Sequence, residues 1–122
     1  HGAQALANNT VGGFNTAQGY GALQSNLTGG NNTASGVYAM YNNTGGSNNT
    51  ASGSQALYFN STGGYNVAVG LRSLYYNTIA SNNVAVGNSA LYTNTTGYQN
   101  SAVGFTALYT NSTGFNCTTH VV

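Results

Sequence analysis

The chain has 122 residues, about one domain in length, and contains no Asp, Glu, Lys or Pro; Arg72 is its one charged side chain apart from two histidines. A formal net charge of +1 leaves no basic footprint for nucleic acid or anionic membranes, and the lack of carboxylates removes most acid–base and metal chemistry. No run approaches the roughly 18 to 20 apolar residues of a membrane span, so no membrane insertion is expected.

Asn, Thr, Ser and Gly make up more than half of the residues, a composition that disordered chains share. Ten Tyr, four Phe and a strict apolar register argue for an ordered fold instead. Taken from the N-terminus, a first apolar stretch falls at Thr16-Ala17-Gln18-Gly19-Tyr20 and a second at Ala22-Leu23-Gln24. The pair then recurs, becoming Val67-Ala68-Val69-Gly70-Leu71 in the first stretch, and Ala56-Leu57-Tyr58-Phe59 or Ala107-Leu108-Tyr109 in the second.

The period is 17 residues throughout. Leu6, Leu23, Met40, Leu57, Leu74, Leu91 and Leu108 mark it, and three residues after each stands Asn9, Asn26, Asn43, Asn60, Asn77, Asn94 or Asn111. Gly2, Gly19, Gly36, Gly53, Gly70, Gly87 and Gly104 form a further column. Seventeen residues are too few for a paired-helix repeat, and Gly and Asn favour turns over helix interiors. Two short strands and two turns per unit predict an all-β parallel β-solenoid. It would be a single domain over 1–122, built of seven coils and expected to lack capping segments. At about 4.8 Å per coil it would be about 34 Å long.

Stacking places like side chains above one another. Asparagine amides can then donate to one neighbour and accept from the other, the leucines fill the interior, and the turn glycine takes a positive φ. Tyr41, Tyr58, Tyr75, Tyr92 and Tyr109 form an aromatic column. Gln18, Ser35, Ser52, Val69, Val86 and Val103 form another, whose valines would call for a partner if they face outward.

The segments Asn66-Val67-Ala68-Val69-Gly70 and Asn83-Val84-Ala85-Val86-Gly87 resemble the head repeats of YadA-type trimeric autotransporter adhesins, and the NTAVGYQAL-type repeats of bacterial surface and tail-fibre proteins. The resemblance implies a left-handed β-roll, commonly trimeric, with a structural or adhesive role on a surface or fibre. It differs from that pattern in its first three coils, where Gln or Ser replaces the usual valine.

Chemistry-bearing residues are few. His1 and His120 stand seven units apart, and no hydroxyl has an evident activating base, so neither catalysis, metal nor cofactor is expected. Cys117 cannot form an internal disulfide; it is expected to be a small buried residue, with an intermolecular link as the other option. Asn-x-Ser/Thr occurs at Asn8, Asn26, Asn31, Asn42, Asn48, Asn60, Asn94, Asn111 and Asn116, each a candidate for N-glycosylation. Asparagine ladders and Thr-rich turns generate the same pattern for structural reasons alone.

Hydroxyl positions at Thr10, Thr44, Ser61, Thr78, Thr95 and Ser112 suggest a flat ice-binding face, which Leu27 interrupts. Exposed Tyr columns suggest sugar stacking. The chain reads as a mature or excised segment, and the expectation is a repeat subunit of an extracellular, cell-surface or virion fibre. Its partners would be copies of itself, as a lateral trimer or end to end, and covalent glycans; the alternative is an adhesin or tail-fibre head that binds host glycans or receptors.

Overall fold

The computed structural model describes residues 2–120 and contains no helix there. Seven three-residue strands form one parallel sheet: β1 Thr16–Gln18, β2 Thr33–Ser35, β3 Thr50–Ser52, β4 Val67–Val69, β5 Val84–Val86, β6 Ser101–Val103 and β7 Thr118–His120. Each pairs with the next at an offset of one repeat, as in Thr16 with Thr33 or Val84 with Ser101. Parallel neighbours need a crossover of a dozen residues or more. Here the 14 residues from Gly19 to Asn32, and their equivalents, travel once around the coil. The expected β-solenoid of 17-residue coils is what forms.

The central residue of each of the first six strands is an inward Ala, and Ala34, Ala51, Ala68, Ala85 and Ala102 are fully buried. Opposite them lie Ala22, Ala39, Ala56 and Ala90, with Leu23, Met40, Leu57, Leu74 and Leu91 filling the remaining space. The methyl-sized Ala columns keep the coil narrow. One large apolar residue per coil, with the asparagines, then suffices to fill it.

One expectation is overturned. The Ala-Leu stretch is not a second strand. It is a run of tight turns, closed by Ala56 N–H to Gly53 O (3.2 Å) and Asn60 N–H to Leu57 O (3.2 Å). Each Leu or Met of the column sits in the left-handed region, with φ between 50° and 54°. That conformation costs a non-Gly residue about 1–2 kcal/mol. Complete burial of a Leu offsets it, at about 1.5–3 kcal/mol. The turns still stack, because Leu57 N–H donates to Ser73 O of the next coil (3.0 Å) and Leu74 N–H to Ala90 O (2.9 Å).

The positive φ expected of the turn glycine is present from Gly19 to Gly104, for example 139° at Gly53. A Cβ at Gly53 would lie 2.5 Å from Gly70 O, so stacking also forbids a side chain there.

Candidate functional site

The interior holds two asparagine columns, and they use their amides differently. In the column that follows the leucines, each Nδ2 donates to Oδ1 of the preceding coil: Asn26 to Asn9 (2.7 Å), Asn43 to Asn26 (2.7 Å), Asn60 to Asn43 (2.8 Å) and Asn77 to Asn60 (2.8 Å). The same Nδ2 closes its own turn, as Asn60 does on Gly63 O at 3.0 Å. The expected Asn9, Asn43 and Asn77 ladder is therefore a continuous amide chain, extended by Asn94 and Asn111.

The second column is Asn15, Asn32, Asn49, Asn66, Asn83 and Asn100, one residue before each strand. Here Oδ1 accepts the backbone N–H of the equivalent residue in the next coil, as from Asn49 to Asn32 (2.9 Å) and from Asn66 to Asn49 (2.9 Å). Nδ2 donates to a carbonyl 14 residues ahead, as Asn49 does to Gly63 (2.8 Å). The regular Asn before Thr or Val was visible in the sequence, but its role went unread because the Asn after Leu already explained a ladder. Cys117 occupies the seventh position of this column. It is a free, half-buried thiol rather than a fully buried residue, and its backbone N–H still reaches Asn100 Oδ1 at 2.9 Å.

The sequon asparagines separate by position. Asn26, Asn60 and Asn94 are fully buried in the amide chain, with both amide atoms engaged, so they are not candidates for a glycan in the folded coil. Asn111 is half-buried in the same chain. Asn8, Asn31, Asn48 and Asn116 are exposed, and Asn42 is half-buried outside the ladders. Burial was not legible from the sequons, because Asn on either side of a turn gives the same triplet.

Two surface columns also differ from expectation. The hydroxyls of Thr10, Thr44, Ser61, Thr78 and Thr95 turn back onto the next coil, donating to Leu27 O (2.8 Å), Ser61 O (3.2 Å), Thr78 O (3.1 Å), Thr95 O (3.2 Å) and Ser112 O (3.2 Å). Engaged in this way, they do not form a free hydroxyl lattice for ice. Tyr41, Tyr58, Tyr75, Tyr92 and Tyr109 stack ring on ring, at centroid distances of 4.9 to 5.3 Å and interplanar angles of 4° to 15°. Their faces cover one another, so this column presents edges and hydroxyls rather than open faces for sugars.

Beside it Phe59 stacks on Tyr76 (5.4 Å), and the Arg72 guanidinium lies 6.0 Å from the Tyr75 ring centre. Burial, then the neighbouring phenols of Tyr75, Tyr41 and Tyr38, push the Tyr58 hydroxyl above the usual tyrosine range. Tyr92 is raised in the same way, by burial first.

The first and third residues of each strand point out of the coil. The column Gln18, Ser35, Ser52, Val69, Val86 and Val103 thus lies on the outer sheet face, with Val69 and Val103 exposed and Val86 half-buried. His120 is exposed at the end of β7; His1 lies outside the described residues. Among the described residues, no three His, Cys, Asp or Glu side chains gather into a group able to hold a metal. A cavity of about 380 Å³ is lined by first-coil residues only, Ala5, Leu6, Asn15, Thr16, Ala17 and Gln18, none of them titratable. No helix among the described residues is long and apolar enough to cross a membrane. No protein-family model, curated protein or solved structure matches the chain.

Proposed function

We propose that this chain is a structural repeat of an extracellular fibre, built by lengthwise stacking of like coils. The observation that carries the reading is the direction of its ladders. Strand pairing, amide chain and tyrosine stack all run along one axis, and each coil offers the next the groups that it takes from the one before. Such a unit extends by adding identical units, whether in the same chain or in another copy. A surface without carboxylates or lysines supports the same reading, because hydration then falls to amides, hydroxyls and any attached sugars.

The resemblance to YadA-type heads supports a surface or fibre location, and the outward valines of β4 to β6 favour lateral contact with further copies, as in a trimer. A composition without Asp, Glu or Lys supports a structural role over an enzymatic one. The adhesin reading comes second, since the main tyrosine column keeps its ring faces to itself.

Cryo-electron microscopy and light scattering of the native material test the proposal. Rods with an axial repeat of about 4.8 Å are expected. A small monodisperse species that persists at high concentration would reject the fibre. A clear hit on a glycan array from such a species would put the adhesin first.

A further inference from the structure

We propose that Asn31 and Asn48 carry N-linked sugars whose first rings lie against Phe14 and Tyr65. The proposal rests on the reading of the chain as extracellular. It starts from one turn position, two residues before each strand, filled in successive coils by Phe14, Asn31, Asn48, Tyr65, Asn82, Gln99 and Asn116. All seven have φ between 54° and 62°. The column is in register, since Asn31 N–H donates to Gly13 O (3.0 Å), Asn48 to Gly30 O (3.0 Å) and Tyr65 to Ser47 O (3.1 Å).

Asn is among the few side chains that tolerate this backbone region, whereas a bulky residue there is an outlier that calls for a reason. Phe14 and Tyr65 have none inside the coil. Phe14 is 91% exposed and Tyr65 65%, so neither backbone preference nor core packing favours an aromatic ring at either place. Both flank the same pair, because Phe14 precedes Asn31 by one coil and Tyr65 follows Asn48 by one coil, at about 4.8 Å per step.

Both are sequons whose recognised groups face outward, as they also do at Asn116 and Thr118 of the same column, and it is the aromatic neighbours that single out this pair. Asn31 and Asn48 are exposed, and the hydroxyl residues two positions on, Thr33 and Thr50, open β2 and β3 on the outer face. The residues between them, Asn32 and Asn49, stay in the interior ladder. Asn82 stands at the same turn and is exposed, but Val84 replaces the hydroxyl residue, so it is an internal control.

Attachment forms a bond from Asn Nδ2 to the anomeric carbon of a sugar. It breaks that carbon's bond to a phosphate oxygen of a lipid- or nucleotide-linked donor, and the phosphate-bearing carrier and the Nδ2 proton leave. Aromatic rings offer apolar faces on which the sugar's C–H groups can rest. The result is a hydrated coat on a fibre that has almost no charge of its own.

Trypsin has only Arg72 to cut at, so native material would be digested with chymotrypsin and sequenced by electron-transfer fragmentation mass spectrometry. The expected result is sugar mass on Asn31 and Asn48, with Asn82, Asn26, Asn60 and Asn94 bare. Unmodified Asn31 and Asn48 would overturn the proposal, and this readout is independent of whether the chain forms rods. For the aromatic contact, F14A and Y65A made in the native host should lose their sugars to a glycoamidase several-fold faster than the unaltered chain. Equal rates in variants that remain folded by circular dichroism would overturn that part.

Discussion

The two interior asparagine columns have the same residue, the same 17-residue spacing and the same burial, but they differ in what they ask of their neighbours. An asparagine of the first column bonds to the side chain of the next asparagine, so each link depends on the identity of two residues. An asparagine of the second column bonds to backbone on both sides, so its link to the next coil needs no partner side chain, although Asn83 and Asn100 add a long 3.4 Å contact to Asn77 and Asn94 of the first column. Cys117 illustrates the difference: its backbone N–H makes the link to Asn100 although it has no side-chain amide. Chains of amides are therefore sensitive to sequence in pairs, whereas amide-to-backbone columns tolerate drift one coil at a time.

The largest effects should come from removing either kind of amide in the middle of the stack. Asn60→Ala and Asn66→Ala each leave buried donors and acceptors unpaired beside a cavity, and each should lower unfolding stability by about 3 kcal/mol. Urea denaturation followed by circular dichroism measures this, and equal losses are expected from both. A loss within 0.5 kcal/mol, the range typical of surface changes, would mean that the ladder does not hold the coil.

Double-mutant cycles sharpen the contrast. Asn43→Ala and Asn60→Ala share one bond, so together they should cost about 1 kcal/mol less than the two separate losses. Asn49→Ala and Asn66→Ala share no side-chain bond, because alanine keeps the Asn66 N–H, and they should add to within about 0.5 kcal/mol. Equal coupling in the two columns would erase the distinction.

A smaller effect belongs to the tyrosine stack. The folded state holds the Tyr58 and Tyr92 hydroxyls above their unfolded value, so their ionisation is disfavoured in the fold. This contribution is fully present below about pH 10, the unfolded tyrosine value, and is lost as pH rises through the folded values. Thermal stability should fall on the alkaline side, and Tyr58→Phe should shallow that fall, as a melting series above pH 9 would show.

Toward acid the expected effect is the smallest. With no carboxylate side chain to protonate, the melting temperature should stay flat between pH 3 and pH 8. A steep acid transition would mean that something other than these ladders sets the stability.

Several features are legible in the sequence. The uninterrupted period fixes the coil, the Gly-Ala-Leu columns fix which residues stack, and Gly19 to Gly104 mark a turn that only glycine satisfies. The second stretch is ambiguous because two or three apolar residues, such as Ala56-Leu57, carry too little periodicity to separate a strand from a tight turn. A Leu at φ near 52° is also a conformation that local preference argues against. The hydroxyl column is undecided in the sequence for a related reason: whether Thr44 faces water or the carbonyl of Ser61 depends on a coil 17 residues away.

The sequence alone determined the repeat, its register and the all-β stack, because a 17-residue period without a single insertion places each residue against the equivalent position of the coils above and below. Only the tertiary structure decided which asparagines are interior and which are exposed, which hydroxyls are already engaged, and that the tyrosine faces cover one another. Those outcomes turn on the direction of each side chain across the coil. That direction is set by backbone angles and by contacts between coils, and a list of residue types does not contain it.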